Sequence, residues 1–132
     1  MPETLVVDRS EAVHTQALHL LHEEESGKVS LIAPDLLLTE FASLIAKRAR
    51  RKQMLATEDR DAYRLLEGVA TVLFDTRPLL DAALQLALTS HAPLWDCVYL
   101  ALAIEQRCPL VTADRRFFRS SGSRHPAIRL LE

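Results

Sequence analysis

Short apolar runs without polar alternation, each separated from the next by a longer helical pattern, constrain this chain more than any other feature. The runs are Leu5-Val6-Val7, Val29 to Ala33, Val72-Leu73-Phe74, Leu110-Val111-Thr112 and Ile128 to Leu131. A strand with one solvated face alternates polar and apolar residues, whereas a strand covered on both faces does not. Strands joined through helices run parallel. The pattern therefore predicts one α/β domain over residues 1–132, a three-layer α/β/α arrangement around a mostly parallel sheet. Helical patterns fill the intervals. The first runs from Ser10 to about Glu25 with Val13, Ala17, Leu20 and Leu21 on one stripe, and Ser26-Gly27 stops it. Pro34-Asp35 opens a second, carrying Leu37, Phe41, Leu44 and Ile45 inward. Thr57-Glu58-Asp59 starts a third. Pro78 to about Ser90 is amphipathic through Leu80, Ala83, Leu84 and Ala87, and Leu94 to Gln106 is the last long one.

Composition removes several classes. With 132 residues and 48% hydrophobic content the chain can bury a core, so disorder is not a description of the whole. Only 3 glycines and 5% aromatics argue against an all-β fold of many tight turns. No apolar stretch approaches the roughly 20 residues of a membrane span, and Met1-Pro2-Glu3-Thr4 has no basic n-region, so a cytoplasmic protein is expected. Cys97 and Cys108 are too far apart for a CxxC motif and suit buried, reduced thiols. Gly27, Gly68 and Gly122 are isolated, which excludes a phosphate-binding glycine loop, and there is no G-x-S-x-G elbow. His14, His19 and His22 lack the partners of a zinc site and are expected at the surface.

In a parallel sheet, ligands bind beyond the carboxyl ends of the strands, which directs attention to three acids. Glu40 lies one turn from both Leu37 and Leu44, on or beside the face that enters the core; a position at the flank of that face, reaching water, is the alternative. Asp96 follows Pro93-Leu94-Trp95 at the start of an apolar helix, and Asp114 stands where Leu110-Val111-Thr112 runs out. Taken singly, each of these two reads as a helix N-cap. Taken together, clustered carboxylates in a poorly solvated cleft need a cation. Oxygen-only donors select Mg²⁺ or Mn²⁺, which polarise a phosphoryl oxygen and generate a hydroxide nucleophile, the chemistry of phosphodiester hydrolysis.

Two blocks carry a resemblance. Ala33-Pro34-Asp35-Leu36-Leu37-Leu38-Thr39-Glu40-Phe41-Ala42 is the first; Leu94-Trp95-Asp96-Cys97-Val98-Tyr99-Leu100-Ala101-Leu102-Ala103 followed by Leu110-Val111-Thr112-Ala113-Asp114-Arg115-Arg116-Phe117 is the second. Both resemble the PIN-domain ribonucleases, and among them the VapC-type toxins of toxin–antitoxin pairs. The resemblance covers about Ala17 to Phe118. It implies that Glu40, Asp96 and Asp114 are catalytic metal ligands for Mg²⁺ or Mn²⁺, that Thr112 supports them through its hydroxyl, and that the partners are RNA, a VapB-type antitoxin and a second copy of the chain.

The amino end departs from that pattern. Family members begin with a strand ending in Asp, and Val6-Val7-Asp8 matches it superficially, but only one helix fits between Asp8 and Pro34 where the family has two. The spacing favours a chain whose first strand and first acidic ligand are absent or cut off by a late start site; the alternative is a shortened entry in which Asp8 keeps the metal role.

The basic residues divide into two groups. Lys47, Arg48, Arg50, Arg51 and Lys52 close a helix, where they either complement its dipole or contact RNA phosphates. Arg115, Arg116 and Arg119 follow Asp114 directly and are the better-placed phosphate contacts, despite a net charge of −2. Trp95, beside Asp96, is either a base-stacking surface or, the favoured reading, a core or subunit-contact aromatic. The first functional expectation is a metal-dependent endoribonuclease. A catalytically silent PIN-like binding module is the second, and a phosphatase-like hydrolase with Asp8 as nucleophile the third; Ser10 stands where that last class needs another Asp.

Overall fold

A computed structural model describes residues 3–7, 23, 26–51, 72–112, 114–122 and 124–130. The elements are β1 (Glu3–Val7), β2 (Val29–Pro34), α1 (Leu36–Arg50), β3 (Val72–Phe74), a single 3₁₀ turn (Arg77–Leu79), α2 (Leu80–Ser90), α3 (Leu94–Gln106), β4 (Leu110–Thr112), α4 (Arg115–Ser121) and β5 (Ile128–Leu130). Apart from Glu23, which is helical, the expected helices Ser10 to Glu25 and from Thr57 lie outside the described residues. So do His14, His19, His22 and Lys52. No single helix among the described residues is long and apolar enough to cross a membrane.

Five strands form one sheet in the order β3-β2-β1-β4-β5, and every pairing is parallel. The amino-terminal strand corrects the reading that favoured its absence. Glu3–Val7 is present and central, with Leu5 opposite Leu31 of β2 and Val7 opposite Val111 of β4. The chain builds outward from β1 to β2 and β3, then crosses to the other side of β1 for β4 and β5. That reversal opens a crevice at the carboxyl ends of β1 and β4, where a sheet of this kind binds its ligands.

Burial explains the missing polar alternation. Val6, Ile32 and Leu110 (0–5% exposed) join a large cluster with α3, while Leu5, Val29, Leu31 and Val111 (2–8% exposed) form a second one. Adjacent residues of β1 thus enter different clusters, as expected of a strand covered on both faces. Gly27 precedes β2 at φ +81°, and the Lys28 N–H donates to the Glu23 carbonyl (3.0 Å), a Schellman-type closure that suits a glycine.

The helix α3 supplies the centre of the core, with Cys97 through Ala103 all buried. Both cysteines are free and buried, as their apolar neighbours suggested. Burial pushes both thiols up from the ordinary value of 9.0; at Cys97 the neighbouring Asp96 charge adds to this and a Ser90 hydrogen bond opposes it. The helix α2 presents a different face from the one expected. Ala83 is buried and Leu86 and Ala87 are half-buried, but Leu80 and Leu84 are 43% and 51% exposed, and Leu88 joins them at 70%. Leu79, in the 3₁₀ turn, takes the inward position instead. Small Ala83 lets the helix approach its neighbour closely, and the outer leucines follow a second stripe at four-residue spacing.

Candidate functional site

Each acidic residue reaches the carboxyl edge of the sheet by its own route. Glu40 sits in the second turn of α1, which begins directly after β2. Asp35 precedes that helix, yet its side chain makes no cap. Its Oδ1 instead accepts from the Thr76 backbone N–H (3.2 Å) and hydroxyl, while the Asp35 N–H donates to the Phe74 carbonyl (2.7 Å). The start of α1 is thereby tied to the end of β3.

Asp96 arrives from the other direction. The short link Arg107–Pro109 joins α3 to β4, so α3 runs against the strands and its first turn lies at their carboxyl ends. The N-cap of α3 is Pro93, in extended geometry, which corrects the capping reading of Asp96. Asp96 is the third helical residue, half-buried, where the positive end of the helix dipole favours its charge. One turn on, Tyr99 is buried completely, and its hydroxyl donates to Glu40 Oε1 at 2.6 Å. That bond joins α3 to α1 and brings Glu40 beside the helix face that carries Asp96. Glu40 is half-buried, as a place at the edge of the apolar stripe implies.

Asp114 follows β4 by two residues and does cap its helix. Its Oδ1 accepts from the N–H groups of Arg116 (2.9 Å) and Phe117 (3.1 Å). The Thr112 hydroxyl, fully buried, accepts from the Asp114 N–H at 3.1 Å, which fixes the backbone where the strand turns into α4. Arg115, Arg116 and Arg119 are all exposed on α4 directly beyond Asp114. Lys47, Arg50 and Arg51 are exposed as well, but they stand roughly 10–16 Å along α1 from Glu40, at 1.5 Å per residue. Trp95 is 56% exposed and hence no core aromatic. Asp8 lies outside the described residues, directly after β1 in the sequence.

The acids at this edge are all carboxylates, and hard divalent cations keep several waters while binding through only one or two carboxylates. Among the described residues, no three His, Cys, Asp or Glu side chains are grouped closely enough to hold an ion by themselves. Carboxylates so arranged suit a hydrated, hard divalent cation better than a closed cage such as structural zinc requires. A groove of about 560 Å³ between α2 and the carboxyl half of α3, lined by Pro78, Leu86, Ala101 and Ile104, contains Glu105 and lies away from Asp96.

Tyr99 and the Asp35–Thr76 tie were not singled out from the sequence. A tyrosine three residues after an acid in an apolar helix was the available signal for the first. Nothing local marked the second, whose partners are 41 residues apart.

Comparison with known structures and families agrees with this architecture. The crystal structure of PAE2754 from Pyrobaculum aerophilum superposes with a TM-score of 0.72, covering 99% of this chain and 92% of that one at 20% identity. That degree of identity speaks for the fold. A search of curated proteins finds no match. PIN domains are in general nucleases, typically use divalent metals, and commonly bind nucleic acid and often antitoxin partners. Residues 5–122, from β1 through the end of α4, match the PIN domain, and the chain belongs to that family.

Proposed function

We propose that the protein is a Mg²⁺- or Mn²⁺-dependent endoribonuclease of the VapC type, with Glu40, Asp96 and Asp114 as its catalytic metal ligands. The observation that carries the reading is the meeting of Glu40 with the Asp96 helix through Tyr99, at the strand edge from which Asp114 also emerges. A divalent ion at this edge supplies an activated water and neutralises charge on the phosphate. The chain's own residues do the rest. Thr112 fixes the turn that presents Asp114, and the exposed Arg115, Arg116 and Arg119 draw an RNA backbone toward the acids. Asp8 is proposed as a further metal ligand on its place directly after β1.

The presence of β1 removes the main argument for a silent module, since the sheet keeps its central member. The family match likewise speaks against the phosphatase-like reading. The proposed setting is the cytoplasm, with a VapB-type antitoxin and a second copy of the chain as partners. The exposed Leu80, Leu84 and Leu88 supply apolar surface suited to the second copy.

The test is cleavage of a labelled RNA by purified protein with Mn²⁺ and with EDTA, beside Asp96→Asn. Cleavage that needs Mn²⁺ and disappears in the variant is expected. Equal cleavage by the variant overturns the assignment.

A further inference from the structure

A fully buried tyrosine must place its hydroxyl against a partner, and Tyr99 spends that hydroxyl on a carboxylate. The 2.6 Å separation is that of a charge-assisted O–H to carboxylate bond, stronger than one between neutral groups. The bond spans 59 residues of sequence and crosses from α3 to α1. Asp96 lies three residues before Tyr99, on the same side of α3, so one helix carries both an acid and the group that grips a second acid. Glutamate has three rotatable side-chain bonds, and a neighbouring carboxylate repels it when no cation is present. Something must therefore hold Glu40 in place before an ion arrives. The ring of Tyr99 cannot readily yield, because it is fully buried in the large core cluster.

We propose that Tyr99 is a positioning residue of the acidic site, whose hydroxyl holds the Glu40 carboxylate at a fixed distance from Asp96 so that the two meet one divalent cation as a preset pair. The inference rests on the metal-binding reading above. Groups that orient a metal ligand without touching the metal typically change affinity by about 10- to 100-fold when removed. In this role the hydroxyl acts on the metal through Glu40, so its removal should weaken metal binding no further once that carboxylate is gone.

The experiment is a Mn²⁺ titration of the whole chain, without RNA, followed by the loss of the free-ion paramagnetic resonance signal. Tyr99→Phe keeps the ring in the core and is expected to weaken Mn²⁺ binding about 10- to 100-fold while the melting transition stays cooperative. Glu40→Gln should weaken it at least as much, and the double variant no further than Glu40→Gln alone. Affinity in Tyr99→Phe within twofold of the parent, with Glu40→Gln impaired, overturns the positioning role and leaves the metal site standing. Unchanged affinity in Glu40→Gln overturns both. Should Tyr99→Phe fail to fold, Glu40→Asp draws the carboxylate back from the hydroxyl with the core untouched, and it must lose affinity comparably; unchanged binding there overturns the proposal equally.

Discussion

The starts of α3 and α4 look alike in sequence, each an acid near the beginning of a helix, but the two acids are held in opposite ways. Asp114 is fixed by its own helix, since its Oδ1 collects two backbone N–H groups of α4. Asp96 is not the cap of its helix; Pro93 occupies that position, and the first turn of α3 carries Asp96 as its third residue. One carboxylate is built into the local fold and contributes to it. The other is placed by the long buried helix behind it. Stability and proposed chemistry are therefore coupled at Asp114 through a helix cap that Asp96 does not supply.

The strongest way to break this contrast is Asp96→Asn, for which RNA cleavage should fall by more than the roughly 100-fold that loss of a supporting group costs. Its melting temperature should shift less than that of Asp114→Ala; a larger shift would show that Asp96 is structural after all. At Asp114 the two effects can be pulled apart. Alanine removes the cap and should cost about 1 kcal/mol, a drop of several degrees in a domain of this size. Asparagine caps nearly as well as aspartate, so Asp114→Asn should melt close to the parent while losing cleavage. If both substitutions cost the same stability, the cap is not what Asp114 contributes.

A smaller effect sharpens the description of the core behind Asp96. The Cys97 and Cys108 thiols are pushed up by burial from 9.0, so the unfolded chain ionises them first. Their contribution to stability is present below about pH 9 and is lost as pH rises through the folded values. Denaturant melts between pH 8 and 10 should show this fall, and Cys97→Ala with Cys108→Ala should flatten it. Smallest in stability is Leu84→Gln on the outer face of α2, expected within about 0.5 kcal/mol for the folded chain. Light scattering should nevertheless record weakened self-association if this stripe meets a second copy.

Much of the fold was legible because fully covered strands leave a residue pattern that needs no partner to be read. The span Leu94 to Gln106 and the strand Leu110 to Thr112 coincide with α3 and β4. The amino end was misread because counting helices between Asp8 and Pro34 compares connections, whereas a strand is made by its neighbours. Leu5-Val6-Val7 had the right residues, and its partner β4 lies far along the chain. On α2 two apolar stripes interleave, and periodicity alone cannot say that the stripe through small Ala83 faces inward while the leucines stay outside. The Asp114 cap was readable from position, unlike the extended Pro93 that relieves Asp96 of the same duty. Tyr99 was hidden for a related reason: an apolar helix gives no local sign of which aromatic hydroxyl meets a carboxylate on another element.

The central place of β1 bears on how the protein is made. Its pairing with β4 joins Val6 to Leu110, residues about a hundred positions apart, and contacts of such separation form slowly because the intervening chain must first be ordered. During synthesis β1 leaves the ribosome well before β4 and waits, half-paired, until β4 follows. Asp114 emerges only after that. The acidic edge of this domain is therefore complete only once nearly all of the domain has emerged.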